Sequence, residues 1–345
     1  MSKQPVGMPA DAAAFCGAVD VGGTKIASAL FTGKGEISAR AKVAIERSGG
    51  DAAAAQVAGR IEALAAAAAE SGGRLAAVGI CVPGIAYSGS GKVWAPNIPG
   101  WDQYPLLDRI RGLRSAPVPI VLESDRSAYV AGESWRGAAA GAKDVVFLAV
   151  GTGIGAGIVS GGRIIHGGED IAGAVGWFAL DPAFEPEYAA MGCFEAEASG
   201  GSIARKARQK LASGRPSSMT GLAGGTIDAV TAEVVAEAAR ARDPLALEIV
   251  AEAVTYLAMG VANIVSILNP EAVVLGGGLF LASDLLLEPV RREFKRWAQP
   301  LAARSVRIEL SALGEDAGLY GCGRIAWQYC QERGHVPEGH VPVKE

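Results

Sequence analysis

Residues 15–31 read FCGAVDVGGTKIASALF, and residues 145–165 read VVFLAVGTGIGAGIVSGGRII. Each is a β-prone run ended by a glycine turn and followed by a second β-prone run. A further glycine turn then leads to a third, at Gly33-Lys34-Gly35 in one case and Gly161-Gly162 in the other. Strands are expected at 15–19, 26–31 and 36–43, and again at 144–150, 153–160 and 163–166, making two antiparallel meanders. After the first come a helix over 51–71, strands at 75–82 and 118–122, and a helix over about 124–137. After the second come helices over 195–213 and 226–268, a strand at 271–275, a helix over 281–299 and a strand at 306–310. One supersecondary order used twice predicts two related α/β halves. The segment carrying Pro96, Pro99 and Pro105 is expected to be irregular. A closing helix over 317–330 can return to the first half, giving domains at 15–122 plus 317–330 and at 123–316, with loose termini at 1–14 and 331–345.

Composition limits what such a fold can do. With 32 Lys and Arg against 36 Asp and Glu on 345 residues, the net charge of -4 carries no nucleic-acid footprint. Half of the residues are apolar and 20% are charged, the balance of a globular chain able to bury two cores. The five cysteines are scattered without a C-x-x-C pair, which points away from a disulfide scaffold or closed zinc site and towards a reducing cytoplasm. No export signal or membrane span is expected, because polar residues interrupt the most apolar stretch, 249–283.

Chemistry is expected at the glycine turns. Gly22 and Gly23 let successive N–H groups face one anion, Thr24 adds a hydroxyl and Lys25 a charge, while Asp20 at a strand end can hold hydrated Mg²⁺. The competing reading is a plain Gly-Gly hairpin with an Asp bonded to its turn. Gly151, Thr152, Gly153 and Gly155 occupy the corresponding place in the second meander. Formally Gly151, Gly153 and Ala156 fit a dinucleotide fingerprint, but that motif must open a helix and here a strand follows. Gly276, Gly277 and Gly278 end a later strand before a helix, where backbone can approach a flat ring. Asp125, just after a strand, is either a residue favoured by a helix N-terminus or a general base for a hydroxyl.

Taken in order, these motifs resemble the ROK family of sugar kinases and related repressors, within the actin and hexokinase superfamily. The resemblance spans residues 15–327. Asp20 to Lys25 is similar to the family's first phosphate motif, Gly151 to Gly157 to its second, and Gly276 to Gly278 to its adenosine motif. Val82-Pro83-Gly84 and the loop from Ala95 to Trp101 are similar to its sugar-side loops, and Asp125 to its catalytic acid. The resemblance implies a two-domain actin/hexokinase-like (ribonuclease H-like) α/β fold with a ligand cleft between domains. It implies ATP and Mg²⁺ as cofactors and a hexose, modified sugar or cyclitol as acceptor. Gly84, Asn97, Ser124, Asp125, Trp177 and Glu195 are the implied substrate contacts, in a cytoplasmic homodimer or higher oligomer that binds neither nucleic acid nor membrane. Repressor relatives carry a helix-turn-helix ahead of the first motif, and the nineteen residues before Asp20 are too few for one.

The departures from the family are informative. Ala174 and Trp177 stand where members commonly have Glu and a zinc-binding His, and Pro186, Tyr188 and Cys193 stand where three Cys complete the metal site. No structural zinc is therefore expected. The loop is expected to be held by the packing of Trp177 and Tyr188, with sugar stacking the alternative role for Trp177.

Overall fold

The structure, a computed structural model, describes residues 13–115 and 117–333. The expected loose ends therefore lie largely outside the described residues, apart from 13–14 and 331–332, which belong to regular elements. The chain divides into two compact units, one holding residues up to Arg136 together with Glu315 onward, the other Gly137–Gly314.

In the first unit, β1 (Ala13–Val21), β2 (Lys25–Phe31) and β3 (Ile37–Ala44) form the antiparallel meander. Helix α1 (Gly50–Glu70) follows, burying Val57, Ile61, Leu64 and Ala68 along one helical face. Then β4 (Gly73–Val82) pairs parallel with β1. The proline-bearing segment is more regular than its composition suggested. It holds a hairpin of β5 (Ile85–Tyr87) and β6 (Lys92–Trp94), then α2 (Leu106–Leu113). Pro105 sits at the N-cap of α2, where no backbone donor is needed, and Val93 and Tyr104 exchange backbone hydrogen bonds across the intervening loop. Strand β7 (Ile120–Ser124) leads directly into α3 (Asp125–Arg136).

In the second unit, β8 (Val145–Val150), β9 (Ile154–Ser160) and β10 (Arg163–Ile164) repeat the meander. The helices are α4 (Tyr188–Met191), α5 (Cys193–Ala198), α6 (Gly200–Ala212), α7 (Met219–Leu222), α8 (Ala232–Arg240) and α9 (Pro244–Leu268). Strand β11 (Ala272–Gly276), α10 (Ser283–Trp297), α11 (Ala302–Ser305) and β12 (Arg307–Leu310) complete the unit. The helix expected over 281–299 is divided, because a short 3₁₀ turn at Gly278–Ala282 precedes α10.

Sheet order shows the duplication: β3-β2-β1-β4-β7 in one unit and β10-β9-β8-β11-β12 in the other, each an antiparallel meander extended by two parallel strands. The last helix, α12 (Ala317–Glu332), belongs to the first unit and packs on α3, β1 and β4. Gly321 permits that approach, since any side chain there would collide with the Ala128 carbonyl. The sequence boundary after residue 122 had assigned α3 to the second domain, and packing against α12 instead keeps it in the first unit.

Helix α9 is long and apolar enough to cross a membrane by length and composition. Its buried face, including Leu257, Val261, Ile264 and Val265, packs in the core of the second unit with Phe194 and Phe294, as a core helix does.

Candidate active site

In the first unit the glycine turn is closed by a 2.8 Å bond from the Gly22 N–H to the Lys25 carbonyl. Neither Gly22 nor Gly23 adopts positive φ, so the constraint on them is space. A methyl on Gly23 would stand 3.2 Å from Cβ of Asn97, which places the exposed Asn97 beside this turn. Gly84, at φ 147°, leaves no room for a side chain against the Trp94 carbonyl. The Thr24 carbonyl accepts from the Ile45 N–H at 3.1 Å. Lys25 directs its ammonium to Glu315 at 2.9 Å, and this pairing raises the Lys25 pKa and holds Glu315 down at about 2.

Asp20 is carried by β1 opposite Cys81 of β4. The Cys81 thiol donates to Oδ1 at 3.2 Å, while burial pushes the carboxyl above its usual range against that hydrogen bond. On the other side Oδ2 lies against Gly318, where a methyl would collide with it. A single carboxylate at a strand end fits a Mg²⁺ that keeps most of its ligands as water and phosphate oxygen. Among the described residues no group of three or more His, Cys, Asp or Glu is arranged to hold a metal ion.

Asp125 opens α3 at the end of β7, its Oδ1 accepting the Arg126 N–H at 2.8 Å. Desolvation pushes its pKa up to about 6, helped by the nearby Asp20 charge and opposed by Arg126. Ser124 is buried, and its hydroxyl serves the helix start, donating to Ser127 Oγ and accepting the Ser127 N–H at 3.2 Å.

In the second unit Gly151 and Thr152 line a cavity of about 480 Å³ with Gly200, Gly201, Ala204 and Gly278. The Gly200 N–H donates to the Gly151 carbonyl at 2.8 Å, and Ser199 caps α6, so a helix N-terminus adjoins the turn. The remaining glycines divide by role. Gly155 is paired with Ala149 inside the sheet, Gly276 would strike the Phe147 ring if substituted, and Gly277, at φ 92°, lies against the Val150 backbone. Of the strand-end triplet only Gly278 borders the cavity, with open space where its side chain would be. The rest of the lining, including Ala232, Ala236, Leu279 and Leu281, was not anticipated from sequence. The signal present was Ser199-Gly200-Gly201, a capping residue followed by two small ones at a helix start.

Glu195 projects from α5, and its Oε2 accepts the Ile154 N–H at 2.7 Å. Burial raises its pKa, opposed by that bond. Gly153 lies so close that a methyl there would come within 2.7 Å of Oε2, so this glycine serves the carboxylate and does not line the cavity.

The segment expected to be held by Trp177 and Tyr188 is held by Tyr188 alone of the two. Tyr188 is buried, with its hydroxyl 2.7 Å from Glu197, and Cys193 accepts the Leu180 N–H at 3.4 Å. Phe178 and Phe194 stack at 6.5 Å. Trp177 is 57% exposed, so core packing is not its role. It adjoins the site through Gly176, where a methyl would sit 3.2 Å from both Cβ and Oε2 of Glu195.

Duplicated meander sheets with glycine turns at corresponding strands define a protein of the actin and hexokinase-like class. Within that class the chain belongs to the ROK family, whose sequence profile matches residues 16–328. It is 32% identical to a glucokinase of Halalkalibacterium halodurans, over 93% of this chain and 97% of the relative. Among solved structures it is similar to a ROK hexokinase from Thermus thermophilus, at 30% identity and a TM-score of 0.77, covering 92% of this chain and 99% of the other. A ROK family glucokinase from Streptomyces griseus, solved with glucose and AMPPNP, is 31% identical with a TM-score of 0.69, covering 91% and 99%.

Proposed function

We propose that the protein is an ATP-dependent sugar kinase that transfers the γ-phosphate of ATP to a hydroxyl of a hexose, a modified hexose or a cyclitol. The observation that carries this reading is Asp125, a carboxylate at a strand end whose pKa of about 6 suits a base working near neutrality. It accepts the proton of the attacking hydroxyl, and Asn97 and Glu195 bind other hydroxyls. The turn donors of Gly23 and Thr24 and that of Thr152 hold phosphate oxygens, the Gly22 and Gly151 N–H groups being used to close their own turns, while the cavity bordered by Gly278 takes the adenosine. Mg²⁺, when bound through water to Asp20, neutralises charge on the terminal phosphates. The glucokinase relatives support the reaction class, and the AMPPNP and glucose bound to the Streptomyces griseus enzyme support the ligand pair.

Ala174 and Trp177 favour an acceptor other than plain glucose, because an exposed indole stacks on the apolar face of a ring and the long polar contacts of the family are missing. We place the enzyme in the cytoplasm as a homodimer or higher oligomer, on the family resemblance.

The test is ADP release from Mg-ATP across a panel of glucose, amino, deoxy and acetylated hexoses and cyclitols, with the product checked as a sugar phosphate. ADP release that depends on one acceptor supports the reading. Sugar binding by calorimetry without turnover of any acceptor would instead make the protein a sensor.

A further inference from the structure

We infer that Cys81 is a positioning residue for Asp20, its thiol fixing which carboxylate oxygen is left to a hydrated divalent cation. The inference rests on the kinase reading above.

Asp20 and Cys81 are register partners on parallel β1 and β4, so their side chains emerge on the same sheet face. That face is otherwise lined by small residues: Cys16 and Ala18 on β1, and Ala77 and Gly79 on β4. Helix α12 packs directly onto it. Gly79 leaves space for the Cys322 backbone, and Gly318, one turn earlier on the same helix face, leaves space for Oδ2 of Asp20. Cys81 and Cys322 are both fully buried, so no water can replace either thiol.

The two thiols lie in hydrogen-bond contact with each other, and each also reaches an oxygen. Cys322 donates to the Val19 carbonyl at 3.5 Å, which ties α12 to β1, whereas the single proton of Cys81 goes to Oδ1 of Asp20 at 3.2 Å. A carboxylate turns easily about its last torsion, which has broad minima, and its two oxygens are equivalent until something distinguishes them. Here the thiol engages Oδ1, while Oδ2 carries no hydrogen bond among the described residues and lies against Gly318. An alanine at 81 would release Oδ1 from this bond. The carboxylate would then be ordered only when the cation binds, which weakens that binding.

The experiment reads Mn²⁺ as a paramagnetic stand-in for Mg²⁺. Free Mn²⁺ is titrated by EPR against the full chain with AMPPNP present, for wild type, Cys81→Ala, Cys81→Ser and Gly318→Ala. Melting temperature and metal-free AMPPNP affinity are recorded alongside. Cys81→Ala is expected to weaken Mn²⁺ about 3- to 10-fold, the scale of one hydrogen bond to a charged group made by a weak donor, with metal-free nucleotide affinity unchanged. Cys81→Ser, which keeps a donor, is expected to recover most of the loss. Gly318→Ala, which crowds Oδ2 without touching the thiol, is expected to weaken Mn²⁺ as well and serves if the alanine at 81 prevents folding. Mn²⁺ affinity unchanged in Cys81→Ala, or equal losses in the alanine and serine variants, would overturn the inference and leave Cys81 a packing residue. The kinase reading fails separately: wild type that binds Mn²⁺ with AMPPNP yet phosphorylates no acceptor removes the activity without removing the role of Cys81.

Discussion

The backbone N–H of Ile154 donates to Oε2 of Glu195 over 2.7 Å, so one carboxylate both closes the second glycine turn and borders Trp177 through Gly176. A side chain proposed to bind sugar therefore also shapes a turn proposed to bind phosphate.

This coupling predicts the outcome of two substitutions. Glu195→Gln retains an oxygen that accepts the Ile154 N–H, so the turn should survive while the acceptor KM rises roughly tenfold, the scale of one charge-assisted hydrogen bond. Glu195→Ala removes the acceptor of a partly buried N–H and should raise KM for both the sugar and ATP. Steady-state kinetics with each substrate varied in turn decides it, and a sugar-only effect in the alanine variant would show that the turn stands without Glu195.

Asp125 sets a pH dependence. As the base it must be ionised, so kcat/KM for the acceptor should fall on the acid side with an apparent pKa near 6, and Asp125→Asn should lose about two orders of magnitude or more. Stability runs the other way. The unfolded carboxyl titrates near 3.8 and the folded one near 6, so between these values the folded state holds the extra proton. Stability should therefore decline as pH rises through that window, and less so in Asp125→Asn. Melting temperatures from pH 4 to 7 for both proteins test the sign.

Glycines that look alike in sequence should separate by experiment. Gly276→Ala drives a methyl into the Phe147 ring and should lower the melting temperature. Gly278→Val extends into open space bordering the cavity and should leave the fold intact while weakening ATP. Thermal melts beside nucleotide titrations distinguish the two. Equal loss of stability in both variants would place Gly278 among the structural glycines.

The difference between those glycines marks how far the sequence could be read. The two meanders were legible because alternating apolar runs meet glycine turns, and both carboxylates, Asp20 and Asp125, were legible because each ends a strand. The C-terminal limit of α9 was legible too, since Asn269, at φ 45°, ends it before Pro270, but the single helix expected over 226–268 missed the break at which Asp243 caps α9 ahead of Pro244. The far wall of the cavity was not legible. Ala204, Ala232 and Ala236 are ordinary helix residues, and only tertiary packing decides which face they present. The same holds for Lys25, whose ion-pair partner Glu315 lies 290 residues away.

The segment between β10 and α5 gives the last prediction. Its packing centres on Tyr188, buried beside Phe184 at 5.9 Å and bonded to Glu197, with Cys193 taking the Leu180 N–H. Removing a buried aromatic ring costs about 3 to 5 kcal/mol, so Tyr188→Ala should lower the melting temperature by several degrees. Trp177 is exposed and follows Gly176, which lies against Glu195, so Trp177→Ala should leave the melting temperature nearly unchanged and raise the acceptor KM. Structural zinc takes four ligands, and Trp177, Pro186, Tyr188 and Cys193 offer one thiol among them. Chelation should accordingly leave fold and activity intact once Mg²⁺ is restored. Elemental analysis and melts before and after chelation test this together. About one zinc per chain with unfolding on chelation would show that metal holds this segment, and a large stability loss in Trp177→Ala would return the indole to the core.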